Sequence, residues 1–161
     1  MTGHPTRVKT KSPFRVLSPI HQANRQSSLY IDALLADLSV SAQEGQLLAF
    51  VSARDGVAVT AIVRLLGVPK STVTSLLQRL EATGLTRRGH NPQDARSWLV
   101  FPTAKGRRVG AAARERVVDL EHRIQARISE ADMRALARIV DAVTAETGID
   151  LTAEAPRRGD S

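Results

Sequence analysis

The stretch from Val68 to Phe101 constrains this chain more than any other. Val73, Leu76, Leu77 and Leu80 fall at helical spacing and make one apolar face. Lys70, Ser71, Thr74, Ser75, Gln78 and Arg79 occupy the remainder of that helix, expected over 70–83, and Gly84 stops it. Leu85 to Arg88 and Ser97 to Phe101 read as two short strands. The link between them, Gly89 to Arg96, contains Asn91-Pro92 and reads as an extended hairpin loop. Thr103 then stands where a long helix needs its cap.

The flanking sequence supplies helices and little else. A first helix is expected over about 22–37, with Leu29, Ala33, Leu34 and Leu38 on one stripe. Ser39 or Ser41 is placed to cap a second helix, and Ser41 has Glu44 three residues on, a capping-box pattern. That helix offers Leu47, Leu48, Phe50 and Val51 to a core, and Asp55-Gly56 marks a turn after it. Thr60 is expected to cap a short helix holding Ile62, Val63, Leu65 and Leu66, which Gly67 ends. Two more helices are expected over about 104–128 and 130–147, each with an apolar stripe. The element order is that of a winged helix-turn-helix: mainly α, with a small β-hairpin wing.

Composition narrows the function classes. The chain has no cysteine, which excludes a disulfide framework, a cysteine zinc site and a thiol redox switch. No uncharged run exceeds nine residues, far short of the ~20 that span a bilayer. Basic residues near the start are not followed by an apolar segment, so no secretory signal is read there, and a cytoplasmic protein without membrane partners is expected. His4, His21, His90 and His122 show no metal-ligand spacing, and no nucleophile–base set or phosphate-binding loop stands out. No enzyme activity, metal or cofactor is therefore expected. The net charge of +7 is unevenly placed: residues 60–108 alone carry nine basic and two acidic side chains. A polyanionic partner follows from that asymmetry.

The side chains on the 70–83 helix have sizes that suit a DNA major groove about 12 Å wide. Ser71 and Thr72 lie near the helix start, where free backbone N–H groups favour phosphate. Lys70 adds charge there, and Thr74, Ser75 and Gln78 are the candidates for base contact. Arg79 is either a further DNA contact or a structural partner of Glu81 or Glu44. On the hairpin, Arg88, His90 and Asn91 are candidates, together with Asp94 and Arg96, which lie two apart and would share one strand face.

These residues carry a resemblance. Val68 to Leu80, the run Leu80-Glu81-Ala82-Thr83-Gly84-Leu85 with Arg87-Arg88 after it, Asp94-Ala95-Arg96, and Thr103-Ala104-Lys105-Gly106 occur in one order and spacing. In this the chain resembles the MarR (multiple antibiotic resistance regulator) family of winged helix-turn-helix transcriptional regulators. The resemblance implies a triangular homodimer, with residues 21–40 and 103–148 supplying dimerisation helices and residues 41–102 the DNA-binding domain. Residues 1–20 would be a flexible basic arm and 149–161 a tail. It implies a double-stranded, pseudo-palindromic operator read by two recognition helices. It further implies that Asp94 and Arg96 brace the wing, with the Arg facing the minor groove. Repression relieved by a small-molecule effector belongs to the same set of expectations. Three positions depart from the family pattern. Pro69 replaces a polar cap, Ser75 a frequent Arg, and Ala95 a frequent basic residue. The last two remove charged contacts, so weaker and less salt-dependent binding is expected. They also motivate the alternative of a winged-helix protein-interaction module without specific DNA reading.

Overall fold

The computed structural model describes residues 13–92 and 97–151. Six α-helices and a small antiparallel sheet follow in the order α1 (Leu17–Leu34), α2 (Ala42–Ser52), β1 (Val57–Ala58), α3 (Val59–Leu66), α4 (Lys70–Ala82), β2 (Thr86–His90), β3 (Trp98–Pro102), α5 (Ala104–Gln125) and α6 (Glu130–Thr147), with a 3-10 turn at Ala36–Leu38. The sheet order is β1-β3-β2, with Val57 opposite Val100 on one side and Arg88 opposite Val100 on the other.

One aliphatic core unites the middle of the chain. Leu47, Leu48 and Val51 of α2, Ile62 of α3, Val73, Leu77 and Leu80 of α4, and Val57, Leu85 and Val100 of the sheet region are all buried. Phe50 is only partly buried and stacks under the Arg54 guanidinium. Ser41 caps α2 as its spacing predicts: its hydroxyl accepts from Glu44 N–H, and the Glu44 carboxylate accepts from Ser41 N–H. Gly67 ends α3 at φ 62°, a left-handed conformation that turns the chain tightly into α4.

α5 lies flush against the core because two glycines leave room. A Cβ on Gly106 would fall 1.9 Å from the Leu85 carbonyl oxygen. One on Gly110, a turn further along, would fall 2.8 Å from the Leu48 carbonyl oxygen. Thr103 caps the same helix through Gly106 N–H and also donates its hydroxyl proton to Gly84 O at 2.7 Å. The start of α5 is thereby pinned to the turn that leaves α4.

Several boundaries differ from expectation. α1 begins at Leu17, inside the segment expected to be an arm, since Pro19 falls in its first turn, where a missing N–H is harmless. Its expected stripe is misplaced too: Leu29 is 67% exposed, and Leu35 and Val40 bury instead. Thr60 does not cap α3; the cap position is Ala58, because the chain passes directly from β1 into the helix. β1 itself, two residues long, is too short to show a strand period. β2 runs on to His90, so pairing with β3 takes up the start of the expected loop.

Candidate nucleic-acid interface

Helix α4 is held by its inner face and presents its outer one. Val73, Leu77 and Leu80 are buried, while Lys70, Ser71, Ser75, Gln78 and Arg79 are exposed and Thr72 and Thr74 half-buried. Ser71, Thr74, Ser75 and Gln78 stand three or four residues apart and share one surface. The hydroxyl protons there are already committed. Thr74 Oγ1 donates to the Lys70 carbonyl at 2.9 Å and Ser75 Oγ to the Ser71 carbonyl at 3.2 Å. Each oxygen therefore faces outward as an acceptor, suited to an exocyclic N–H of adenine or cytosine. No side chain caps the helix; Pro69 sits at the cap, and its carbonyl accepts from Thr72 and Val73 N–H. The N–H groups of Lys70 and Ser71 at this positive helix end favour an anion.

Arg79 is placed differently from its neighbours. Its Nη2 lies 2.6 Å from Glu44 Oε2, an oxygen that also accepts from Ser41 N–H at 2.8 Å and Ser41 Oγ at 3.0 Å. Glu44 is 1% exposed. The carboxylate thus joins the start of α2 to the outer helix, and Arg79 serves that joint. Sequence spacing exposed the Ser41–Glu44 pair but left the partner of Arg79 open between two glutamates.

The hairpin is tied to α4 by a second pair, Arg88 Nε to Glu81 Oε1 at 2.7 Å. His90 is exposed at the outer end of β2. Asn91 Nδ2 donates to Ser97 Oγ at 2.8 Å, closing the strands where they part. Asp94 and Arg96 lie outside the described residues. Two features escaped the sequence reading. Arg87 stacks over the Phe101 ring at 4.6 Å to its centroid, and Trp98 stands 57% exposed opposite His90.

A second set of bonds connects this unit to the terminal helices. Asp32 of α1 accepts from Ala42 N–H at the start of α2 at 2.6 Å. Arg116 of α5 donates to the Leu34 carbonyl and pairs bidentately with Asp37 in the turn after α1. The Arg116 guanidinium holds the Asp37 carboxyl below its ordinary range. Ser129 does the same for Asp132 at the start of α6 through side-chain and backbone hydrogen bonds.

Residues 37–97, from the turn after α1 to the wing, match the sequence profile of the MarR family. Over that stretch, less than half of its length, the chain is similar to the MarR family. The transcriptional regulator HosA of Escherichia coli O111:H- is 37% identical over 60 residues, which are 37% of this chain and 44% of HosA. The chain thus matches less than half the length of that relative. Solved structures extend the likeness to the terminal helices. The S. aureus MepR–DNA complex superposes with a TM-score of 0.73 at 20% identity, covering 80% of this chain and 95% of MepR. A mutant MarR from E. coli complexed with operator DNA gives 0.69 at 22% identity over 82% and 98% of the two chains. BldR from Sulfolobus solfataricus gives 0.69 at 23% identity over 80% and 94%. At these identities the structures establish the shared fold, a mainly α winged helix-turn-helix extended by helices at both ends. Among the described residues no group of three or more His, Asp or Glu is placed to hold a metal ion. No helix among them is long and apolar enough to cross a membrane.

Proposed function

We propose that this chain is a MarR-type, dimeric, sequence-specific DNA-binding transcriptional regulator, acting as a repressor that a small ligand releases. The observation that carries the reading is the outer surface of α4. It holds a row of hydroxyl acceptors with Gln78, on a helix anchored from behind by three buried aliphatic side chains and from the side by Glu44. Such a helix enters a groove as a rigid body, with side chains short enough to touch base edges. MepR and MarR, whose structures share the fold, are both seen with DNA.

Dimerisation is supported by what the single chain leaves uncovered. α1 and α6 have no buried residue, and α5 buries only Gly106, Gly110 and Ala113 in its first half. Leu29, Tyr30, Ile124, Leu136 and Val140 stand exposed on these helices. A second copy that covers them would set two α4 helices about one helical turn apart on one face of a duplex. Ligand release and repression rest on the family resemblance.

The test is substitution of Gln78 and Arg96 in separate proteins, each titrated against a selected binding sequence and a scrambled one. Gln78→Ala should shift base preference while leaving affinity for scrambled DNA intact. Arg96→Ala should weaken both. If neither substitution alters binding, the chain is a winged-helix interaction module and its partner is a protein.

A further inference from the structure

Trp98 is the chain's one tryptophan and its largest apolar side chain, yet it is 57% exposed. The register explains where it points. Trp98, Val100 and Pro102 share one face of β3, and across from them stand His90, Arg88 and Thr86 of β2. Moving outward along that face, the Thr86–Pro102 pair is buried, and Val100 is buried beside an Arg88 that reaches Glu81 of α4. The His90–Trp98 pair comes next, beyond the core. The face whose inner part is buried therefore continues into solvent as an indole opposite an imidazole. β1 ends at Ala58, opposite Leu99, and leaves the outer flank of Trp98 without a strand partner.

We infer that Trp98 is a DNA-contacting residue of the wing, its indole packed on the sugar–phosphate edge of the duplex beside the groove that α4 enters. This rests on the DNA-binding function proposed above. The chemistry favours that surface over an apolar protein patch. A duplex edge alternates apolar deoxyribose with anionic phosphate, and the indole offers an apolar plane with one N–H at its rim. Arg88 stands diagonal to it on the same face, its Nε paired with Glu81, and residues 60–108 carry nine basic against two acidic side chains. A contact to sugar and phosphate fixes register without reading sequence. Trp98 is accordingly a positioning contact, distinct from the base readers on α4.

Because the chain has a single tryptophan, its fluorescence reports this position alone. The full-length protein is titrated at low salt with a mixed-sequence duplex of about three helical turns. Binding is followed separately by the anisotropy of a labelled copy of the duplex. Rising anisotropy with a parallel change in indole emission and reduced acrylamide quenching supports the inference. Trp98→Ala should then weaken binding about tenfold on every sequence, and Trp98→Phe, which keeps a ring and loses the N–H, about threefold. Rising anisotropy with emission and quenching unchanged overturns the inference, leaves the DNA-binding reading intact and assigns the exposed face to a protein partner. No rise in anisotropy overturns both.

Discussion

Two kinds of polar side chain share the outer surface of α4, and their hydrogen bonds separate them. Thr74 and Ser75 bond only to their own helix, so their oxygens are available, and Gln78 stands exposed one turn further on. A bidentate amide–adenine contact is worth about 1–3 kcal/mol of discrimination. Gln78→Ala should lower the ratio of specific to scrambled affinity by that amount, as competition binding would register. Arg79, paired with the buried Glu44 of α2, is the second kind. Glu44→Ala removes three hydrogen bonds to a charged acceptor, two from Ser41 and one from Arg79. Urea denaturation should show a loss of about 1–3 kcal/mol, with the Arg79 side of the joint contributing little because its guanidinium is largely solvated. The outer surface of α4 was legible in the sequence because 3- and 4-residue spacing decides which side chains share a helix face. The joint was only half legible: the capping box is local, whereas the Arg79 contact spans 35 positions and depends on where the fold brings the start of α2 relative to α4.

At the scale of elements, two contacts decide how α5 carries the winged-helix unit. Gly106 and Gly110 remove the side chains that would hold the helix away from Leu85 and Leu48. Gly106→Ala places a methyl against a backbone carbonyl that has no easy retreat. A loss of about 1–3 kcal/mol in thermal unfolding follows, despite the better helix propensity of Ala. The second contact is the Arg116–Asp37 pair, which ties α5 to the turn after α1. Its folded carboxyl is depressed by the Arg116 hydrogen bond and charge. Its contribution is thus fully present above the ordinary aspartate value of about 3.9 and is lost as pH falls through the depressed one. Asp37→Asn should lower the unfolding midpoint at neutral pH, and the gap from the unsubstituted protein should close in strong acid. Helix order and most helix ends were readable from caps and glycines. β1 and the start of α1 were not. A two-residue strand exists only because β3 lies beside it, and Pro19 reads as a breaker until its place in the first turn is known.

For the whole molecule, the uneven burial is the main physical fact. The core lies in the middle of the chain, while the terminal helices keep their apolar side chains exposed. Val140 is 51% exposed on α6, so Val140→Arg should leave the single chain folded. Sedimentation should show the proposed dimer converted to monomer, and operator affinity should fall with it because two half-sites no longer bind as one. A variant that stays dimeric would place the interface on other helices. The charge asymmetry that pointed to a polyanion was visible in the sequence. The proposed pairing of two copies was expected from the family resemblance alone, because apolar stripes on helices are equally consistent with packing inside one chain. The most direct test of the central claim is to mix the purified protein with sheared genomic DNA from its source at near-physiological salt and sequence what is retained. The account predicts enrichment of one inverted repeat whose half-sites are centred about one helical turn apart. Retention without any shared motif, or no retention, would contradict it.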